Sequence, residues 1–185
     1  MRRAVSEHGL TTKDSVAPTS ASQPTISRSN IQVEHIRIDS KKSYGEVRAA
    51  LERLPKFDDR FRALLHDGEI ARVRGELKKI EGDAGLVIFS TATHGDWLQI
   101  RSGKRQAVQY VIGNVLIATQ MTKHELAAGL YAPLRIMLYE NSAGTATFEY
   151  DRPSTLFGQY GNESVTAVAK ELDQKISNAL IKAAT

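Results

Sequence analysis

The chain has 185 residues, 41% of them hydrophobic and 25% charged, which is enough for one domain of ordinary size but not for two large ones. It holds no cysteine, and this excludes a disulfide framework, cysteine-ligated zinc, iron–sulfur clusters and thiol catalysis. The formal net charge is only +4, with both signs interleaved along the sequence. A nucleic-acid-binding domain concentrates positive charge on one face, so nucleic acid is not an expected partner.

The longest apolar-rich run, Tyr110 to Ala118, is broken by Gly113 and Asn114. It falls far short of the roughly 20 residues that a membrane span needs. Arg2 and Arg3 are followed at once by Ser6, Glu7 and His8 rather than by an apolar stretch. No secretory leader is therefore expected, and a cytoplasmic protein is the default. Residues 1–30 are rich in Ser, Thr, Ala and Pro without an apolar period. They are expected to form a disordered tail, with a single domain over 31–185.

The run IQVEHIRI, residues 31–38, alternates and predicts a strand ended by Asp39 and Ser40. Ser43 and Glu46 have the spacing of a capping box, opening a helix with the stripe Val47, Ala50, Leu51 and Leu54 before Pro55. Residues 57–82 read ambiguously: Phe57, Phe61, Leu64 and Leu65 have helical spacing, Asp67-Gly68 interrupts, and Ile70, Val73, Leu77 and Ile80 mark a second helical stretch. LVIFSTAT then reads as a buried strand. DWLQIR alternates, so residues 85–101 are expected to form a hairpin with Thr93 to Asp96 as its turn. QAVQYVIGNVLIATQM predicts a short element to Ile112, a break at Gly113-Asn114 and a short helix through Met121.

PLRIMLYE and TATFEY make a second hairpin around Asn141 to Gly144. Leu134, Ile136 and Leu138 share one face of its first strand, leaving Met137 and Tyr139 opposite for a two-fold partner. The last element is a long amphipathic helix capped by Asn162, with Val165, Val168, Ala169, Leu172, Ile176, Ala179 and Leu180 in its stripe. This order of elements points to an α+β fold.

The run GKRQAVQYVIGNVLIATQMTKHELAAGLYAPLRIMLYE, with EYDRPS and the closing ELDQKI helix, resembles the domain of unknown function 302 family. The resemblance covers roughly residues 31–184 and is strongest from His94 to Ser154. Val115 stands where the family commonly has proline after Gly-Asn. The resemblance implies a two-layer α+β domain of the TATA-binding-protein-like type, a curved antiparallel sheet backed by helices, and a homodimer. It implies no catalytic residues.

The five histidines, His8, His35, His66, His94 and His124, lack HxxxH or HxH spacing, so neither a metal nor another cofactor is expected. His94 and Asp96 are the most chemical pair, since a carboxylate that fixes an imidazole tautomer makes a general base. The competing reading is a turn in which Asp96 bonds backbone amides and His94 is solvated. Tyr110, Asn114, His124, Tyr131 and Arg135 are candidate ligand-binding residues around the segment that carries the resemblance. Against that stand structural roles: Asn114 in a left-handed turn, half-buried tyrosines with wet hydroxyls, and Arg135 at a dimer interface. The expected function is a small dimeric module binding an organic ligand or partner. The alternative is an acid–base enzyme using His94 and Asp96.

Overall fold

The structure, a computed structural model, describes residues 23–185. The chain divides into two units, Met1–Asn30 and Ile31–Thr185. Most of the expected tail lies outside the described residues.

Strand β1 spans His35–Asp39, starting later than the alternation in the sequence suggests. Its partner strand sets this limit, because His35 already faces Asp151, the last residue of that strand. Arg152 still donates its N–H to the Glu34 carbonyl, but Pro153 follows and has no N–H to offer. Helix α1, Tyr44–Leu51, opens with the expected capping box: Ser43 Oγ accepts from the Glu46 N–H, and the Glu46 carboxylate accepts from the Ser43 N–H. Helices α2, Arg60–His66, and α3, Ile70–Ile80, part at Gly68, whose φ of +77° suits glycine alone. Phe61, Val73 and Leu77 close a minor core between them.

Strand β2 is Val87–Ala92. The expected hairpin over 85–101 does not form. His94–Trp97 is a single helical turn, α4, and Leu98–Ile100 continues as a 3-10 turn. The ladder partner of β2 is β3, Ala107–Gly113, which supplies the fully buried Val108, Tyr110 and Ile112. DWLQIR offers no such face: Trp97 and Ile100 are 71% and 73% exposed.

Helix α5, Val115–Thr122, leads through a 3-10 segment, Leu126–Tyr131, to β4, Leu134–Glu140. β5, Ala146–Asp151, completes the second hairpin as expected. A short helix α6, Pro153–Phe157, and the long α7, Glu163–Ala184, close the chain. The five strands form one antiparallel sheet in the order β1-β5-β4-β3-β2.

One face of the sheet carries Val108, Tyr110, Ile112, Leu134, Ile136, Leu138, Phe148 and Tyr150 into a single core with the stripes of α1, α5 and α7. Alternation sends the other residues of each strand to the opposite face: His35, Arg37 and Asp39 on β1, Thr147, Glu149 and Asp151 on β5, and Arg135, Met137 and Tyr139 on β4. This is the α+β architecture that the order of elements implied. None of the helices among the described residues is long and apolar enough to cross a membrane.

Candidate functional site

Where β3 ends, the chain makes an abrupt strand-to-helix passage at Gly113-Asn114. Asn114 is the N-cap of α5, with φ −146° and ψ 123°, so its backbone is extended rather than left-handed as the sequence suggested. Its Oδ1 accepts from the N–H groups of Leu116, at 2.8 Å, and Ile117, at 3.2 Å. Its Nδ2 donates to the Gly85 carbonyl at 2.9 Å and to the Glu81 carboxylate at 2.5 Å. Burial pushes the Glu81 carboxyl up, but bonds from Lys78 and Asn114 outweigh it and hold the group below its ordinary value. Asn114 is thereby fully used inside the fold.

Beside this cap lies a cleft of about 200 Å³. Phe89, Val115, Ala118, Pro133 and Leu172 supply most of its apolar wall. Gly113 makes the wall possible: a Cβ there would sit 3.1 Å from Pro133 Cβ and 3.3 Å from its Cα. Phe89 is fixed in turn by stacking on Phe57, with ring centroids 4.7 Å apart. The cleft is below the range of about 300–1,000 Å³ typical of drug-sized sites, so it suits one ring or a short branched chain. Thr119 lines it as well, but its hydroxyl donates to the Leu116 carbonyl at 3.0 Å.

Of the sequence-nominated residues, only Tyr131 and Arg135 line a common depression; the others lie apart. His94 and His124 are both exposed, on the α4 turn and just past α5. Asp96 pairs with Lys104 at 2.8 Å, and that bond, with Thr93, holds its carboxyl below its usual range. Among the described residues no hydrogen bond joins His94 to Asp96. Tyr110 is fully buried rather than half wet, and its hydroxyl donates to Glu52 at 2.8 Å. Tyr131 packs edge-on against Phe157, with centroids 6.1 Å apart. Tyr131 and Arg135 line a separate depression of about 230 Å³ with Leu130, Pro133, Asp151 and Leu156. Of the nominated residues, only Asn114 reaches the cleft. Its apolar walls escaped sequence reasoning because they come from β2, α5, the 132–133 segment and α7.

A second feature missed from the sequence is a polar network on the face of the sheet away from the core. His35 Nδ1 lies 2.8 Å from Asp151 and Nε2 lies 3.3 Å from Glu149. Tyr139 donates to Glu149 at 2.6 Å, and Thr147 to Asp39 at 2.6 Å. Arg37 grips Asp39 at 2.9–3.1 Å and reaches Glu149 at 3.7 Å. The bond to Asp151, seconded by Glu149, raises the His35 pKa above its ordinary 6.5. Tyr139, then His35, hold the Glu149 carboxyl below its ordinary range. Strand register creates this network, since His35 faces Asp151 and Arg37 faces Glu149. The alternation of polar residues at 35, 37 and 39 is the signal that points to it. Among the described residues no group of three or more His, Asp or Glu is placed to hold a metal ion.

Comparison with known proteins places this geometry. The family described as Domain of unknown function DUF302 matches residues 65–183. A solved structure of an uncharacterized conserved DUF302 protein from Bacillus stearothermophilus is similar, with a TM-score of 0.56 at 15% identity. The likeness covers 80% of this chain and 96% of that one, and it is a likeness of fold. No curated protein matches the chain.

Proposed function

The chain belongs to the DUF302 family, and we propose that it serves there as a binding module, a homodimer that takes a small apolar group into the cleft beside the Asn114 cap. One observation carries this reading: the cleft is mostly apolar, Asn114 has all its side-chain hydrogen bonds inside the fold, and the Thr119 hydroxyl donates to the Leu116 carbonyl. Such a site selects by shape and by removal of apolar surface from water, and its lining includes no carboxylate, imidazole or amine. An aryl ring or short branched chain fits, either as a small molecule or as the side chain of a partner. Against the acid–base alternative through His94 and Asp96 stands the ion pair of Asp96 with Lys104.

Titration with toluene, followed by amide NMR, tests the cleft. Shifts confined to Gly113–Thr119, Ala132–Leu134 and Leu172 are expected, and Ala118→Phe removes them by filling the space. Dispersed shifts, or shifts unchanged in Ala118→Phe, sink the assignment.

A further inference from the structure

The sheet has two edges, and they are treated differently. Outside β2, the segment Pro55–Phe57 runs alongside and pairs: Ile88 donates to the Pro55 carbonyl at 2.8 Å, and Phe57 donates to the Ile88 carbonyl at 2.9 Å. Outside β1, no described residue plays that part. The ladder between β1 and β5 uses the even residues of β1. Glu34 accepts from Arg152 and Ser40 donates to Ala146, so Ile36 and Ile38 are the bonded positions between them. The N–H and C=O groups of His35, Arg37 and Asp39 therefore point outward from the sheet, an open template for another strand.

We infer that this edge is where two copies of the chain join, β1 against β1 in antiparallel register about a two-fold axis at Arg37. This gives a surface to the self-association proposed above, and it rests on that reading. The sequence of the strand supports the choice of a second copy over an unrelated strand. Reversed about Arg37, the strand sets Ile36 against the partner's Ile38 and Ile38 against the partner's Ile36, on the side of the helices. On the opposite side it sets His35 against the partner's Asp39, and Asp39 against the partner's His35. Apolar and charged pairs are thus both self-complementary, as an isologous contact requires.

The two Arg37 side chains meet at the axis. Each keeps two carboxylates of its own chain, Asp39 at 2.9 Å and Glu149 at 3.7 Å, which offset the like charge.

A groove supplies the remaining surface. About 500 Å³ of space lies along β1 on its helix side, lined by Ile36, Ile38 and Ile181 together with the charged Glu34, Arg152 and Asp173. Ile36 and Ile38 are half-buried, and Ile181 is 47% exposed. Reciprocal isoleucines from a second β1 fill this groove and bring the two α7 helices together across the axis. Met137 and Tyr139, the positions that the sequence offered for dimer contact, are set back on β4.

The absence of native cysteine makes the test clean. Residues opposed at a bonded antiparallel position lie about 5.5 Å apart at Cα, within disulfide range. On mild oxidation the full chain carrying Arg37→Cys is expected to form a covalent dimer, whereas Thr91→Cys on the β2 edge is not. Arg37→Pro removes an outward N–H while leaving the β5 ladder intact. It is expected to give a folded monomer by circular dichroism and sedimentation velocity, with Arg37→Ala still dimeric. A single-chain mass for the unmodified protein across the micromolar range overturns both the homodimer and its surface. A dimer that persists in Arg37→Pro, or that fails to cross-link when it carries Arg37→Cys, leaves the homodimer standing and overturns the β1 assignment alone.

Discussion

The side-chain amide of Asn114 donates to the carboxylate of Glu81, 33 residues earlier, at 2.5 Å. That bond ties the end of α3 to the start of α5 and fixes one corner of the cleft. Asn114→Ala removes the α5 cap and leaves the buried Glu81 short of a donor. A loss of about 2–4 kcal/mol in urea unfolding is expected. Asn114→Asp keeps the cap but opposes two carboxylates, so it is expected to be destabilising at neutral pH and to recover as acid protonates the pair.

Tyr110 and Glu52 form a part-buried polar contact on the helix side of the sheet. Burial, then the bond to Glu52, raises the Tyr110 hydroxyl above its ordinary value of 10. The folded protein therefore holds this proton longer than the unfolded chain does. The associated stability is intact below pH 10 and falls as the pH rises above it. Phenolate absorbance during alkaline titration is expected to lose its last-ionising tyrosine in Tyr110→Phe. The same variant is expected to lose about 1 kcal/mol of stability at neutral pH.

The elements legible in the sequence are those whose burial is one-sided. Ser43 and Glu46, the alternation at Leu134, Ile136 and Leu138, and the stripe of α7 each encode a local rule that the fold obeys. Trp97, Leu98 and Ile100 misled because three apolar residues in four positions fit a strand as well as a turn. Nothing local says that they remain exposed. The cleft was illegible for another reason: Phe89, Val115, Pro133 and Leu172 meet only after β3 and β4 are paired. Asn114 signalled the place, but its role as a cap could not be told from ligand binding without Glu81 and Gly85 in view.

His35 sits between Asp151 and Glu149, with Arg37 sharing Glu149, and the two carboxylates stabilise its imidazolium relative to a free histidine. A raised folded pKa contributes stability that is complete below about 6.5 and is lost as the pH climbs through the folded value. Ring-proton NMR is expected to place the His35 midpoint above the ordinary 6.5, and Asp151→Asn is expected to lower it. A His35 midpoint at or below 6.5 refutes the network in solution.

Two glycines are expected to respond in opposite directions to alanine. A Cβ at Gly95 would lie 1.9 Å from the Arg105 carbonyl oxygen, so Gly95→Ala displaces the backbone that leads into β3 and lowers the melting temperature. Gly75, within α3, has nothing within 4 Å of its Cβ position. Gly75→Ala is expected to raise stability by about 0.5–1 kcal/mol. Thermal unfolding of the two variants side by side decides both.

The sheet order also dictates when the domain can be finished on the ribosome. β2, β3, β4 and β5 are neighbours in space in the order in which they are made, so they can zip together as they emerge. β1 is synthesised first yet pairs only with β5, with Ile36 facing Tyr150 across more than a hundred intervening residues. The earliest strand must therefore wait for the latest one, and its long loop closure is entropically the slowest step. During translation the nascent chain carries an unpaired β1 until β5 has left the exit tunnel.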